Sequence, residues 1–118
     1  MGVMNEQETD VVKHPVELKN VRHHYGQRIV LHDIDLIFEE NKITVVLGRS
    51  GSGKSTLLQM INGLIKPSVG EVKVFGDKID YDSIHLLRRS IGYSVQGTGL
   101  FPHMTVTQNI AILAKICN

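Results

Sequence analysis

The feature that most constrains this chain is a glycine-rich segment at residues 48–56, which reads Gly-Arg-Ser-Gly-Ser-Gly-Lys-Ser-Thr. It matches the Gly-x-x-x-x-Gly-Lys-Ser pattern of a phosphate-binding loop. An apolar run at 43–47 precedes the loop, and a helix-patterned run at 54–64 follows it. A strand, a glycine-rich turn and a helix N-terminus in this order form a cradle for phosphate groups. The segment therefore predicts a nucleotide phosphate site formed by Gly48, Arg49, Ser50, Gly51, Ser52, Gly53, Lys54, Ser55 and Thr56.

Four positions in the loop explain why this pattern suits an anion. Gly51 and Gly53 let backbone N–H groups approach a phosphate without an intervening Cβ. Lys54 adds a positive charge on a flexible stem, and the hydroxyl of Ser55 is a suitable ligand for Mg²⁺. The loop predicts nucleotide binding, but it does not identify a reaction.

Composition limits the remaining possibilities. A chain of 118 residues, 42% of them hydrophobic, is one small domain or a piece of a larger one. The net charge of +1 gives no electrostatic footprint for nucleic acid or for an anionic membrane. Cys117 has no second cysteine to pair with, which fits a reducing compartment. His23 and His24 would point to opposite faces of a strand, so we do not expect them to share a metal ion.

Hydrophobic periodicity predicts a mixed α/β chain after a polar leader at residues 1–14. The run at 31–38 alternates, with Ile34, Leu36 and Phe38 on one face. The run at 43–47 is apolar on both faces, as expected of a strand buried between helices. The predicted strands are 16–22, 31–38, 43–47, 71–75 and 91–95, and the predicted helices are 54–64, 83–89 and 105–117.

Two of the predicted helices carry a recognisable apolar stripe. The first stripe, ahead of a stop at Lys66-Pro67, consists of Leu57, Leu58, Ile61, Leu64 and Ile65. The last helix opens with a capping-box pattern, Thr105-Val106-Thr107-Gln108. Its stripe, which either packs on the domain's own core or faces a partner, consists of Val106, Ile110, Leu113, Ala114 and Cys117.

Two classes of phosphate-loop protein fit the sequence poorly. A GTPase carries Asp-x-x-Gly and Asn-Lys-x-Asp elements after its loop, and neither pattern occurs here. A small nucleoside kinase needs more chain after the loop for its acceptor pocket and lid.

Four segments carry a common pattern, namely His23-His24-Tyr25-Gly26, residues 48–56, residues 91–96 and residues 99–106. In their order and approximate spacing, these segments resemble the ATP-binding cassette (ABC) transporter ATPases. The resemblance runs from Val16 to the C-terminus but covers only the first part of the family's domain. It implies an α/β fold, an incomplete phosphate-loop NTPase core with an antiparallel β subdomain. The C-terminal core strands and most of the helical subdomain would be lacking.

The same resemblance implies a domain division and roles for particular residues. Residues 15–104 correspond to part of the ATPase core, and residues 105–118 to the start of the helical subdomain. Tyr25 corresponds to the aromatic residue that stacks on adenine, and Lys54 to the lysine that contacts the β- and γ-phosphates. Ser55 and Gln96 correspond to Mg²⁺ ligands, and Gln96 also to the residue that positions the attacking water. The implied ligands are ATP and Mg²⁺.

Other family motifs are not found among the 118 residues. These are a Leu-Ser-Gly-Gly-Gln signature, an apolar run ending in Asp-Glu, and a later histidine that contacts the γ-phosphate. We therefore expect MgATP binding without meaningful turnover by this chain alone. Two alternatives remain open, which are a nucleotide-binding regulatory or interaction module and a non-functional fragment.

The resemblance also implies partners and a location. The family works as two ATPase chains on membrane-spanning permease subunits, at the cytoplasmic face of the membrane. Residues 99–111 are most similar to importers of glycine betaine, choline and similar osmoprotectants, with polar amino-acid importers close behind. In the family, the strand at 43–47 pairs with strands that come later in sequence. Without them we expect partial disorder near the loop or self-association through unpaired strand edges.

Overall fold

Four antiparallel strands form one sheet in the order β2-β1-β3-β4. The computed structural model of the chain describes residues 13–97 and 99–117, so most of the predicted leader at 1–14 lies outside the described residues. The sheet and its helices confirm the predicted α/β class. The strands are β1 (Val16–Tyr25), β2 (Arg28–Phe38), β3 (Val69–Val74) and β4 (Asp77–Lys78).

The β1–β2 hairpin is the longest pairing of the sheet. Val16 lies opposite Phe38 at its open end, and Tyr25 lies opposite Arg28 at the turn. Only Gly26 and Gln27 connect the two strands, and the φ of +59° at Gly26 is typical of such a tight turn. The hairpin therefore places the side chains of residues 25 and 28 next to each other.

In the part of the chain that the structure describes, three helices accompany the sheet, and the first packs on it. They are α1 (Lys54–Ile61), α2 (Ile84–Arg89) and α3 (Val106–Cys117). Met60 and Leu57 of α1 are buried against β1, β2 and β3, where the sheet contributes Val16, Leu18, Val21, Leu31, Val72 and Val74 to the core. Along β2, Ile34, Leu36 and Phe38 are half-buried while Asp33 and Asp35 are exposed, which confirms the predicted alternation.

Helix α1 ends earlier than predicted, at Ile61 rather than Leu64. Gly63 has a φ of +74°, its N–H donates to the Met60 carbonyl (3.2 Å), and the Leu64 N–H donates to the Gln59 carbonyl (2.8 Å). These two bonds are those of a Schellman motif, which terminates a helix at a left-handed glycine. The predicted stripe is wrong in part, because Leu58 and Leu64 are exposed and the fully buried residue is Met60.

Two predicted strands, 43–47 and 91–95, are absent from the part of the chain that the structure describes. Ile43 and Leu47 are 94% and 87% exposed. The prediction was wrong because apolar residues report a preference for burial, whereas a strand exists only where a neighbour accepts its backbone hydrogen bonds. Within residues 13–97 and 99–117, neither segment has such a neighbour.

The predicted capping box at the start of α3 is confirmed. The Gln108 N–H donates to Thr105 Oγ1 (3.1 Å), and the Thr105 N–H donates to Gln108 Oε1 (2.9 Å). The Asn109 side chain then ties the preceding turn to the helix. Its Nδ2 donates to the carbonyls of Phe101, Met104 and Thr105, and its Oδ1 accepts from the Phe101 N–H at 2.8 Å.

The apolar stripe of α3 does not pack on the domain's own core where its side chains are described. Val106 and Ile110 are 77% and 79% exposed, and Ala114 is also exposed. Of the two alternatives that the sequence left open, packing on the domain's own core is wrong for these three residues, and contact with a partner stays a prediction.

The end of α1 generates a stability prediction for Gly63→Ala. Alanine at a φ of +74° is strained, and its Cβ would lie 2.7 Å from Cγ1 of Ile84. We expect a loss of about 2–4 kcal/mol in the free energy of unfolding, from backbone strain plus overpacking. The free energy of unfolding is measured by urea titration, with circular dichroism as the signal.

Gly26→Ala is the matched control, because Gly26 has a φ of +59° and its added Cβ would meet nothing within 4 Å. It should lose only the strain contribution, about 1–2 kcal/mol. Equal losses in the two variants would show that the contact with Ile84 contributes nothing.

Candidate nucleotide-binding site

The phosphate loop bends sharply at Gly51 and Gly53 and then enters α1. Their φ values are +79° and +95°, and Gly53 is the N-cap residue of the helix. A Cβ at Gly53 would lie 2.9 Å from both the Val30 carbonyl oxygen and Cδ2 of Leu31. Only glycine fits there, because the loop presses directly against β2 at this point.

The N-terminus of α1 presents unpaired donors to the loop. The first backbone bond of the helix runs from the Leu57 N–H to the Gly53 carbonyl (2.9 Å). The N–H groups of Lys54, Ser55 and Thr56 therefore precede the intrahelical ladder. No acidic residue lies in the first turn of the helix. The positive end of the helix dipole and these donors together favour an anion.

The Lys54 ammonium lies inside the loop that it follows. Its Nζ donates to the carbonyls of Gly48 (2.6 Å) and Arg49 (2.7 Å), and Ser52 Oγ is 3.4 Å away. These acceptors are neutral, whereas phosphate oxygens are negatively charged and attract the ammonium more strongly. The ammonium can therefore exchange them for a phosphate.

One cavity of about 500 Å³ brings most of the predicted residues together. This volume lies within the usual range of small-molecule sites. Three of the predicted residues do not line the cavity but surround the Lys54 ammonium, namely Gly48, Arg49 and Ser52. The predicted residues that line the cavity are Tyr25, Ser50, Gly51, Gly53, Lys54, Ser55, Thr56 and Gln96. Their individual roles stay predictions.

Tyr25 is held in place from two sides, although half of it is exposed. Its hydroxyl hydrogen-bonds Thr56 Oγ1 of α1 (3.3 Å). Its ring meets the ring of buried His23 edge to face, with 4.8 Å between centroids and an angle of 86°. The His23 ring is in turn 3.2 Å from the Ser68 hydroxyl through Nδ1. The aromatic surface at the cavity wall is therefore fixed, which suits stacking on a planar ligand.

Arg28 and Val30 also line the cavity, and the sequence reasoning missed both. The prediction began the second strand at Leu31, whereas β2 begins at Arg28. The signal was available, because a two-residue turn after Tyr25 at Gly26-Gln27 places residue 28 opposite residue 25.

The electrostatic character of the cavity is positive. Arg28 and Lys54 contribute cationic groups, and no carboxylate is among the described residues that line it. Ser55 and Gln96 supply oxygen atoms of the kind that Mg²⁺ prefers. Within residues 13–97 and 99–117, no group of three or more His, Cys, Asp or Glu side chains is arranged to hold a metal ion.

A second cavity of about 520 Å³ contains none of the predicted site residues. It includes Lys66, Glu71, Lys78 and Tyr81. The hydrogen bond from Lys78 at 2.7 Å lowers the pKa of Glu71. Burial raises the pKa of Tyr81, whose ring lies 5.2 Å from the Lys66 ammonium. The acidic group of this cavity is already paired, and no phosphate loop borders it, so the first cavity is the better candidate.

The described part of the chain contains no helix with the length and apolar character needed to cross a membrane.

Comparisons with known proteins find relatives that match most of this chain. The glycine betaine uptake system ATP-binding protein YehX of Escherichia coli K12 is 41% identical over 101 residues, which are 86% of this chain and 33% of the relative. The ergothioneine transport ATP-binding protein EgtV of Helicobacter pylori G27 is 44% identical over 105 residues, 89% of this chain and 48% of the relative. The chain therefore spans between a third and a half of the length of these two proteins.

A solved structure supports the same assignment. The dimeric bacterial ABC transporter cassette MJ0796 superposes with a TM-score of 0.74 at 34% identity, covering 87% of this chain and 48% of that one. The family model described as "ABC transporter" matches residues 31–117, a range that contains the phosphate loop, α1 and Gln96. On this match the chain belongs to the ABC transporter family of ATP-binding proteins.

Proposed function

We propose that this chain binds MgATP in the cavity between the β1–β2 hairpin and the phosphate loop, as the nucleotide-binding part of an ABC importer. The observation that carries this proposal is the convergence of Tyr25, residues 50–51, residues 53–56 and Gln96 on one cavity of about 500 Å³. A magnesium nucleotide requires an aromatic face for its base, an anion-binding loop for its phosphates and oxygen ligands for its metal ion.

Each element of the cavity has a separate role in this proposal. The Tyr25 ring stacks on adenine, a contact worth about 1 kcal/mol. The N–H groups at the start of α1 and the backbone at Gly51 receive the phosphates. Lys54 keeps its ammonium beside the loop, where it neutralises the β- and γ-phosphates.

The family's Mg²⁺ fits the residues present, since Ser55 and Gln96 border the same cavity and both carry oxygen donors. When bound, the ion neutralises phosphate charge. Ser55 would hold the ion from the start of α1, and Gln96 would hold it from the segment after residues 91–95. Mg²⁺ usually keeps several waters and phosphate oxygens as ligands, so two protein ligands are sufficient.

Hydrolysis by this chain alone is not part of the proposal. No carboxylate borders the cavity among the described residues, so no side chain there is an obvious general base. A general base contributes about 10²–10⁴-fold in rate. The signature, the Asp-Glu pair and the later histidine are not found among the 118 residues. In this proposal the chain retains MgATP binding, and turnover depends on catalytic groups that these 118 residues do not supply.

The proposed transport role is osmoprotectant import. The similarity of residues 99–111 to importers of glycine betaine and choline supports this cargo class, and so does the name of the Escherichia coli relative. The partners in this role are membrane-spanning permease subunits and a second ATPase chain, at the cytoplasmic face of the membrane. Three residues of α3 are exposed and available for such contacts, namely Val106, Ile110 and Ala114.

Nucleotide binding is tested by calorimetric titration of MgATP into this chain and into Lys54→Ala. We expect the unchanged chain to bind, and the variant to bind more weakly by about 1–3 kcal/mol because a charge-assisted contact is lost. Ser83→Ala is a suitable control, since that side chain bonds Asp80 (2.6 Å) away from the loop. Absence of binding by all three proteins at millimolar nucleotide would favour the non-functional fragment.

Turnover is tested by phosphate release from MgATP. We expect the rate of the unchanged chain to equal that of Lys54→Ala, since the cavity lacks a carboxylate base. Phosphate release that Lys54→Ala abolishes would contradict this expectation and identify the chain as a working ATPase.

We also expect self-association, because Ile43, Val45 and Leu47 are exposed and residues 43–47 have no strand partner in the described structure. We expect an apparent mass that rises with concentration in sedimentation velocity. Val45→Lys should lower it, because a charge opposes edge pairing. Leu86→Lys, which replaces an exposed apolar residue on α2, should leave it unchanged. A monomer at all concentrations would exclude this association.

A further inference from the structure

Arg28 is the cationic residue of the cavity that the sequence did not reveal. It begins β2 directly across the hairpin turn from Tyr25. Its side chain reaches over the phosphate loop, and Nη2 lies 4.0 Å from the position that a Cβ would take on Gly51. The guanidinium is therefore next to the middle of the loop, on the hairpin side rather than the α1 side.

The charge of Arg28 is not neutralised by a neighbour. Within residues 13–97 and 99–117, no carboxylate forms an ion pair with it, and none borders the cavity. Arg22 on the same hairpin behaves differently, because its guanidinium donates to both oxygens of Asp33 at 2.9 and 3.0 Å. One arginine of the hairpin is thus structural, and the other keeps its donors available.

The second cation of the cavity is already engaged. The Lys54 ammonium has three N–H donors and three acceptors around it, on Gly48, Arg49 and Ser52. A nucleotide must compete for that ammonium, whereas the described residues offer no such competitor for the Arg28 guanidinium. The planar guanidinium also matches two phosphate oxygens at once, which an ammonium cannot do.

We propose that Arg28 is a nucleotide-binding residue that contacts the polyphosphate from the hairpin side, opposite the N-terminus of α1. The inference rests on the proposed nucleotide binding and adds a preference to it. The affinity for phosphates held between Arg28 and the loop increases with each additional negative charge. The site therefore prefers ATP over ADP and ADP over AMP. Stacking of Arg28 on the base is less favourable, because Tyr25 already provides an aromatic wall and Gly51 belongs to the phosphate cradle.

The experiment measures the dissociation constants of ATP, ADP and AMP for the unchanged chain, Arg28→Ala, Arg28→Lys and Arg22→Ala. We expect Arg28→Ala to weaken ATP binding by about tenfold, the loss of one charge-assisted contact, and to weaken ADP and AMP binding progressively less. Arg28→Lys keeps the positive charge but lacks the planar guanidinium, so its dissociation constant for ATP should be intermediate. Arg22→Ala should leave all three constants unchanged.

The salt dependence gives a second readout that does not rely on a single affinity. Raising ionic strength screens an exposed charge, so the affinity of the unchanged chain for ATP should fall more steeply with salt than that of Arg28→Ala. The same salt slope in both proteins would count against a phosphate contact.

The other outcomes separate this inference from the proposed function. If Lys54→Ala weakens ATP binding while Arg28→Ala matches Arg22→Ala, the site binds nucleotide and the role of Arg28 is refuted. If Arg28→Ala weakens all three nucleotides equally, Arg28 contacts the base or ribose and the phosphate assignment is wrong. If the unchanged chain binds no nucleotide, both the proposed function and the role of Arg28 are overturned.

Discussion

The close contact between Gly53 and β2 determines how the site is assembled. The glycine lies against the Val30 carbonyl and the Leu31 side chain, at a spacing that leaves no room for a Cβ. Because Gly53 is also the N-cap of α1, this contact fixes the start of the helix relative to the hairpin. The hairpin carries Tyr25 and Arg28, and the helix carries Lys54 and Ser55. A methyl group at residue 53 would separate the two walls of the cavity.

The two sides of the phosphate loop are supported unequally. On its C-terminal side, Leu57 and Met60 anchor α1 in the core with β1 and β3. On its N-terminal side, residues 43–47 enter the loop without strand partners in the described structure. The bonds from Lys54 to the Gly48 and Arg49 carbonyls join the supported side to the unsupported one. The same lysine thus contributes to the shape of the loop and to its charge.

Features that depend on near neighbours in sequence could be predicted, and features that depend on distant partners could not. The capping box of Thr105 and Gln108 involves residues three apart, and it is confirmed in detail. The glycine-rich turn into α1, the α/β class and the alternation along β2 likewise depend on short segments. Residues 43–47 read as a buried strand because their side chains are apolar, but strand formation needs a partner that the pattern does not supply.

Two smaller errors of the prediction lie at tight turns, whose positions hydrophobic periodicity alone does not give. Helix α1 ends at Ile61 because a left-handed Gly63 closes a Schellman motif, and Arg88 of α2 donates to the Asn62 and Gly63 carbonyls at 3.2 Å. The apolar residues beyond it continued the helical pattern in the sequence. Arg28 was missed because the second strand was predicted to begin at Leu31, so residue 28 was not placed opposite Tyr25.

The hydrogen bonds of Asn109 have a chemical consequence for the turn before α3. Three of its four bonds use the amide nitrogen as a donor to carbonyl oxygens, and only one uses the amide oxygen as an acceptor. Deamidation to aspartate would leave the side chain in the same place but replace the donor by a second negatively charged oxygen. Three attractions would become three repulsions, and the direction in which α3 leaves the turn would lose its restraint. Deamidation of the Asn109 side chain would therefore affect the orientation of α3.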